Sequence, residues 1–228
     1  MLTRLLATLA LFCALALGPA AAQSSDGAAS AEADRAAHAH TTPEDRALLG
    51  RIRAGGVVLY TRHERTNMRV LDGDDFDPAD CDTQRNLSVA GIAVAREVGE
   101  NLRDLGVPVG PVYASPTCRT RETARLLYGG STVEPGFYVP GRSREAMHDM
   151  LRELFARPIP EGENMAVVAH IGHLRSLTGV ALGEGDTAVL DPDDLDPETA
   201  APRVLGVVRS NVWNDLALDL VFAAQTAE

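Results

Sequence analysis

The chain contains three short apolar runs, and each is followed by polar residues whose side chains can bind a ligand or take part in catalysis. The runs span residues 56–60, 111–114 and 165–169, and aliphatic and β-branched side chains dominate them. Runs of this length and composition predict strands that are buried on both faces. Such strands are typical of α/β sheets, whose ligands bind at the carboxyl ends of the strands. The polar residues that follow the runs are therefore the first candidates for a site.

Those polar residues include two arginines and two histidines. Arg62 and His63 follow the first run, Ser115 ends the second and precedes Arg119, and His170 ends the third. Because the carboxyl ends of neighbouring parallel strands meet at one edge of a sheet, we expect these side chains to form one site.

The segments between and after the runs predict the remaining elements. Apolar residues recur at helical spacing in residues 42–55, 88–105, 117–128, 143–157, 173–182 and 211–222. Residues 186–190 and 204–208 predict two strands that the acidic loop 191–203 joins as a hairpin at a sheet edge. A short strand is also expected near residues 137–139, inside the otherwise loop-like segment 129–142. The pattern predicts a single three-layer α/β domain with a mostly parallel sheet, helices on both faces and an antiparallel edge.

The first 22 residues have the pattern of a secretory signal peptide. Arg4 supplies a positive start, residues 5–17 are apolar, and three alanines ending at Ala22 form a cleavage site. The apolar run is too short to cross a bilayer comfortably, so an uncleaved membrane anchor is the alternative rather than the expectation. We expect an exported protein, periplasmic or secreted, with no stable membrane insertion after cleavage.

Two further segments follow the signal peptide. Residues 23–41 are rich in Ala and Ser, show no apolar period and predict a flexible lead-in. Residues 42–228 then form the α/β domain.

The net charge of the chain limits the classes of partner that it can bind. The 21 basic residues are all arginine, 32 residues are acidic, and the net charge is −11. Loss of the signal peptide, whose one charged residue is Arg4, makes this −11 − 1 = −12. Such a charge disfavours binding to nucleic acid and to anionic membranes. An anionic substrate then needs a local cluster of arginines.

Two cysteines remain in the mature chain, Cys81 and Cys118. An exported pair favours a disulfide, and two unpaired thiols are the alternative. The loop of residues 64–86 that contains Cys81 is acidic, but its carboxylates lack the spacing of a calcium loop.

The candidate site has the chemistry of an anion site. Arginine presents a planar fork of donors that matches phosphate oxygens. A neutral histidine beside Arg62 and Arg119 can attack phosphorus as a nucleophile, and the cations then offset charge on the transferred group. His173 lies near His170 in the sequence, but no third metal ligand accompanies the pair, so we expect no metal and no cofactor.

In these segments the chain resembles the histidine phosphatase superfamily, the phosphoglycerate-mutase-like group. Residues 62–66 resemble the family's R-H-G-x-T motif, residues 115–124 its S-P-x-x-R-x-x-x-T-A motif, and residues 167–170 its apolar strand ending in His. Residues 84–91 resemble the start of the helix between the first two motifs. The likeness extends over about residues 56–183 in the family's order.

The resemblance implies a role for each site residue. His63 would be the nucleophile that becomes phosphohistidine, and Arg62, Arg119 and His170 would hold the phosphoryl group. One departure is Glu64, which replaces the motif glycine and brings a negative charge next to the site unless an arginine pairs with it.

The proton donor is a second departure from the family pattern. One branch of the family places an Asp directly after the second histidine, where this chain has Ile171. The other branch places a Glu after the second motif, a spacing that Glu145 fits, and Glu184 is a rival. Either residue would supply the proton that an alkyl leaving group needs.

The sequence thus predicts an exported, metal-independent phosphomonoester hydrolase of the histidine acid phosphatase type. Its partner would be a small phosphorylated metabolite or sugar phosphate. The alternative is a non-catalytic phosphate- or phosphosugar-binding protein of the same fold. Residues 64–86 and 129–142 would surround the site and set its specificity, and the sequence leaves the oligomeric state open.

Overall fold

A computed structural model describes residues 41–225 of the chain. The predicted signal peptide and all but the last residue of the predicted lead-in lie outside these described residues. The described residues fold around one sheet of six strands in the order β3-β2-β4-β1-β5-β6. The strands are β1 (Val58–Arg62), β2 (Val109–Ala114), β3 (Thr132–Val133), β4 (Asn164–Ala169), β5 (Thr187–Leu195) and β6 (Pro202–Val208).

The sheet is mostly parallel with an antiparallel edge, which confirms the predicted fold class. β1, β2, β3 and β4 run parallel, whereas β5 pairs antiparallel with β1 and with β6. β1 and β4 lie at the centre, where both faces of a strand are covered, and this explains why their sequences are continuous apolar runs.

Among residues 41–225, six α-helices accompany the sheet. They are α1 (Pro43–Arg53), α2 (Val89–Asp104), α3 (Cys118–Tyr128), α4 (Arg144–Phe155), α5 (Ile171–Thr178) and α6 (Val212–Gln225). The sequence signals for their starts act as expected: Thr42 forms a capping box with Asp45, and the Ser88 hydroxyl accepts from the Gly91 amide. None of the helices in residues 41–225 is long and apolar enough to cross a membrane.

Successive side chains of β1 enter the cores on opposite faces of the sheet. Val58 and Tyr60 pack in a cluster with residues of α4 and α5, while Leu59 packs in a cluster with residues of α1, α2, α3 and α6. This alternation follows from the two-residue period of a strand. The helices therefore cover both faces, and the three layers hold the strand ends rigidly.

Two details differ from the sequence prediction. The edge hairpin is longer than expected, because β5 continues to Leu195 and β6 begins at Pro202, so acidic residues assigned to a loop lie in strands instead. The strand expected near residues 137–139 is wrong: the segment contains β3 at Thr132–Val133 and a short 3-10 turn at Pro135–Phe137. Apolar content alone did not distinguish a strand from a buried turn there, since Phe137 is buried in either case.

Candidate active site

The structure brings the predicted site residues together at one edge of the sheet. β4 lies between β1 and β2, with Arg62 opposite Ala169 and Ala114 opposite Val168. The residues that follow these strands, His63, Ser115 and His170, therefore emerge side by side. The His63 and His170 rings lie 5.3 Å apart, centroid to centroid.

The orientation of His63 is fixed by a hydrogen bond to its own neighbour. Its Nδ1 lies 2.9 Å from the Glu64 carbonyl oxygen, which can only accept, so Nδ1 carries the proton and Nε2 carries the lone pair. The side chain is buried, and burial lowers the pKa of His63 to about 4. The Glu64 carbonyl and Glu184 oppose this shift, while Arg119 and Arg62 add to it. At neutral pH His63 is therefore a neutral imidazole with a free lone pair at Nε2, the form that acts as a nucleophile.

His170 is held from two sides. Its Nε2 lies 3.1 Å from the Ser115 hydroxyl, and its backbone carbonyl accepts a 2.8 Å hydrogen bond from the Tyr60 hydroxyl. Burial, then the nearby His63 and Arg119, holds the pKa of His170 well below its ordinary value. Two neutral imidazoles thus face each other beside two cations.

Of the two predicted arginines, Arg119 is buried and Arg62 is partly buried, and both have N–H donors without a partner. Arg62 donates through Nη1 to the Leu182 carbonyl at 2.9 Å, and Arg119, which is only 8% exposed, donates through Nη1 to Asp72 at 3.0 Å. Within residues 41–225 the Nε atoms of both arginines are buried and have no hydrogen-bond partner. A buried N–H without a partner costs free energy, and an acceptor bound at these atoms would remove that cost.

The structure adds a third arginine that the sequence reasoning missed. Arg85 is close enough to lower the pKa of Arg119 by charge repulsion, its carbonyl accepts from Arg119 Nη1 at 3.3 Å, and its own Nε is buried without a partner in the described chain. Arg85 lies in the segment that resembles the family's helix start, which was the available signal. Arg85 interacts electrostatically with Arg119, and Arg119 and Arg62 with His63, so three arginines supply a local cationic field of the kind that an acidic protein needs to bind an anion.

Glu64, the departure from the motif glycine, does not point at these cations. Its carboxylate is buried, with Oε1 accepting from the Ser210 hydroxyl at 2.7 Å and Oε2 from the Arg65 amide at 3.1 Å. No arginine among the described residues forms an ion pair with it. It fits because residue 185 is glycine, with φ +84°, and a Cβ there would collide with Glu64 Oε1. The Glu64 carboxylate is thus hydrogen-bonded by a hydroxyl and a backbone amide rather than by an arginine.

The structure places the two sequence-nominated carboxylates differently. Glu184 Oε1 accepts from the Thr66 hydroxyl at 3.0 Å and lies 3.8 Å from Arg62 Nη2 and 4.0 Å from His63 Nδ1. Glu145 lies exposed in the first turn of α4. Glu184 therefore belongs to the surroundings of the site, and the structure does not bring Glu145 to it.

His173 lines the wall of the site beyond His170. Its ring centroid lies 5.7 Å from that of His170 and 5.2 Å from that of Phe137, and burial lowers its pKa to about 4. Within residues 41–225 no group of three or more His, Cys, Asp or Glu side chains is arranged to hold a metal ion.

The loop of residues 64–86, which we call the rim loop, is fastened to α3 at the edge of the site. Cys81 and Cys118 form a disulfide, the first of the two alternatives that the sequence left open. The buried Gln84 accepts from the Cys118 amide at 2.9 Å and donates to the carbonyls of Asp77 and Asp80. The rim loop is therefore anchored next to Arg119. Phe76 reaches Tyr138 of the second rim segment, residues 129–142, with ring centroids 5.1 Å apart.

Solved structures similar to this chain include phosphatases. A mutant phosphoserine phosphatase of Entamoeba histolytica with bound phosphoserine is 14% identical, with 68% of this chain and 97% of that chain covered and a TM-score of 0.49. YhfR of Bacillus stearothermophilus is 17% identical, with coverages of 68% and 98% and a TM-score of 0.48. The protein histidine phosphatase SixA with tungstate is 19% identical, with coverages of 68% and 98% and a TM-score of 0.45. No family model matches the chain, and no curated protein matches it.

Proposed function

We propose that the protein is an exported, metal-independent phosphomonoester hydrolase that acts through a phosphohistidine intermediate. One observation carries the proposal: the buried, unpartnered Nε–H groups of Arg62 and Arg119 lie beside a neutral His63 whose free lone pair is at Nε2. A tetrahedral dianion satisfies the orphan donors, and the same dianion presents phosphorus to the lone pair.

In the first step His63 Nε2 attacks phosphorus and the leaving oxygen departs with the bonding electron pair. Arg62, Arg85 and Arg119 offset the charge on the phosphoryl oxygens, and hydrogen bonds to backbone carbonyls hold Arg62 and Arg119 in position before the ligand binds. His170, set by Ser115 and Tyr60, lies on the other side of the same volume and binds a phosphoryl oxygen. Water then attacks the phosphohistidine and releases inorganic phosphate.

The export part of the proposal rests on the signal-peptide pattern, and the Cys81–Cys118 disulfide supports it, because disulfides persist in oxidising compartments. The substrate class, a small phosphorylated metabolite or sugar phosphate, rests on the proposed exported location and on the family resemblance alone. Mass spectrometry of the mature chain from an export-competent host checks cleavage after Ala22.

The decisive experiment compares p-nitrophenyl phosphate hydrolysis by the wild type, by His63→Ala and by a matched control, His148→Ala, with EDTA present. His148 contacts Ser176 outside the site. We expect turnover that survives EDTA, falls at least about 10⁴-fold in His63→Ala and is unchanged in the control. Turnover that is equal in wild type and His63→Ala would overturn the mechanism.

One observation favours the binding-protein alternative: Glu145, a candidate proton donor, lies exposed and outside the site. It predicts that phosphate raises the melting temperature of the wild type although no substrate is hydrolysed. Acid-labile label on His63 after a rapid quench with radiolabelled substrate decides for the enzyme.

A further inference from the structure

Glu184 approaches the His63 ring at the nitrogen that does not attack phosphorus. Its Oε1 lies 4.0 Å from His63 Nδ1, which donates to the Glu64 carbonyl, and the proposed nucleophile is the other nitrogen, Nε2. A distance of 4.0 Å is too long for a hydrogen bond, so the carboxylate acts on the ring through its charge. In an in-line displacement the leaving oxygen is on the far side of phosphorus from Nε2. Glu184 is therefore placed to influence the charge of the imidazole rather than to protonate the leaving group.

The turn that carries Glu184 is hydrogen-bonded to the backbone of the nucleophile. The Gly185 amide donates to the carbonyls of Arg62 and His63, at 3.2 and 3.1 Å, and the Arg62 amide donates to the Asp186 carbonyl at 3.1 Å. These backbone bonds lie on both sides of β1, the strand end and its continuation into His63. They fix the residue that bears the carboxylate next to the residue that bears the imidazole.

The Glu184 side chain is itself held in place. The hydroxyl of the buried Thr66 donates to Oε1 at 3.0 Å, and Arg62 Nη2 lies 3.8 Å from the same oxygen. The carboxylate is partly buried, so solvent screens its field at the ring less than it screens a surface charge. The negative charge is thus in position before a ligand binds.

The proposed attack creates a positive charge that the rest of the site opposes. His63 attacks through Nε2 while Nδ1 keeps its proton, so the ring becomes cationic when the N–P bond forms. Burial, Arg119 and Arg62 disfavour a cationic ring, which is why they lower the pKa of His63, whereas the Glu64 carbonyl and Glu184 favour it. The arginines that stabilise the phosphoryl oxygens therefore hinder the nucleophile, and a carboxylate at Nδ1 offsets that effect.

We propose that Glu184 is a positioning residue for the nucleophile that stabilises the positive charge of the His63 ring in the phosphohistidine intermediate, a role that rests on the proposed function. In the first step the Nε2–P bond forms and the P–O bond breaks. The leaving oxygen keeps the bonding electron pair and takes a proton from solvent, while the ring becomes cationic beside the carboxylate. In the second step the oxygen of water bonds to phosphorus, the P–N bond breaks, and its electron pair returns to Nε2. Both hydrogens of the water leave with inorganic phosphate, and Glu184 exchanges no proton in either step.

The first experiment measures hydrolysis of p-nitrophenyl phosphate and phenyl phosphate by the full mature chain carrying Glu184→Gln. Glutamine keeps an acceptor for the Thr66 hydroxyl but removes the charge. We expect kcat/KM, which contains the phosphorylation step, to fall about 10- to 100-fold, and by a similar factor for both substrates because Glu184 does not protonate the leaving group. The inhibition constant of inorganic phosphate should not rise, since the variant removes a negative charge beside Arg62. Glu184→Asp should recover part of the loss, and Glu145→Gln, at an exposed position, is the matched control.

The second experiment follows the titration of the His63 ring by NMR in the free proteins, so it needs no substrate. Glu184→Gln should lower the His63 pKa further, because Arg62, Arg119 and the nearby His170 remain while the carboxylate is lost. A substitution that only loosens the site would admit water and raise that pKa towards 6.5.

Three results would overturn the role of Glu184: a His63 pKa that is unchanged or raised in Glu184→Gln, an unchanged kcat/KM, or weaker binding of phosphate. Wild-type turnover that requires His63 but is normal in Glu184→Gln would refute this role alone. Absence of wild-type turnover on both substrates would refute the proposed function itself.

Discussion

The floor and the rim of the site are built by different means. The floor consists of Arg62, His63, Arg119 and His170, which come from strand ends or the first turn of a helix. The rim consists of residues 64–86 and 129–142, which have little regular structure. Floor side chains are buried or partly buried at the ends of parallel strands, whereas the rim is held by a disulfide, one glutamine and single side-chain contacts.

With the exception of Arg85, which lies in the rim loop but contributes to the cationic cluster, this difference separates the chemistry of the site from its selectivity. Strands packed on both faces cannot shift without disturbing two cores, so the floor keeps donors and lone pair in position before a ligand arrives. The rim can change in sequence without disturbing the sheet, because it packs on the helix starts. Substitutions in the floor should therefore affect every substrate alike, and substitutions in the rim should discriminate among substrates.

The largest effect is expected when an arginine of the floor becomes lysine. Arg119→Lys keeps the charge but loses the guanidinium donors, of which Nη1 contacts Asp72 and Nε is the proposed donor to the phosphoryl group. We expect kcat/KM for p-nitrophenyl phosphate to fall about 10²- to 10³-fold. Arg125→Lys, on the solvent side of the same helix and paired with Glu122, is the control and should be nearly neutral. A loss below about threefold for Arg119→Lys would show that the floor does not depend on the fork.

The second effect concerns the anchor of the rim. Replacing Cys81 and Cys118 together by serine removes a cross-link between residues 37 positions apart, which in the chain-entropy model costs about 4 kcal/mol of unfolding free energy. Because the cross-link holds the rim loop and not the floor, KM should rise more than kcat falls. Urea denaturation and steady-state kinetics of the double variant measure the two consequences. Equal loss of kcat on substrates with good and poor leaving groups, at unchanged KM, would contradict the separation of rim from floor.

The floor was largely predictable from the sequence, and the reason is physical. A strand that is buried on both faces, such as β4, is a continuous apolar run in the sequence. The run ends where the chain reaches the edge of the sheet, so the polar residues at that edge can be recognised as those that directly follow the run. The fold class and the convergence of Arg62, His63, Arg119 and His170 on one edge follow from that pattern. Their catalytic roles stay predictions.

The rim was not predictable in the same way, because its structure depends on contacts between distant residues. Asp72 is one of several acids in its loop, and only its pairing with Arg119 and Arg85 distinguishes it from Asp74. Arg85 likewise lies in a recognisable segment, but its contribution to the cationic cluster depends on where the loop folds.

Glu64 follows His63 of the floor directly in the sequence but does not share its chemistry. The sequence shows a carboxylate beside the nucleophile, and only Gly185 and Ser210, far away along the chain, reveal that it turns away from the cations. Side-chain direction after a strand end is decided by packing with such distant residues, so local pattern does not contain it.

The smallest of the three effects tests whether the floor is as desolvated as its burial indicates. Burial lowers the pKa of His63 from 6.5 to about 4, so between these values the unfolded chain binds a proton that the folded chain does not. His63 therefore destabilises the fold as the pH falls from 6.5 towards 4, by about 3 kcal/mol, and has no such effect above 6.5. Asn at position 63 keeps a donor for the Glu64 carbonyl but cannot titrate. When the pH falls from 6.5 to 4, the free energy of unfolding should therefore decrease by about 3 kcal/mol less in His63→Asn than in the wild type. Denaturation curves at pH 7 and pH 4 measure the difference, with His148→Ala as a control on the surface. Identical slopes in wild type and His63→Asn would mean that water reaches the imidazole, and the floor would then share the solvent exposure of the rim.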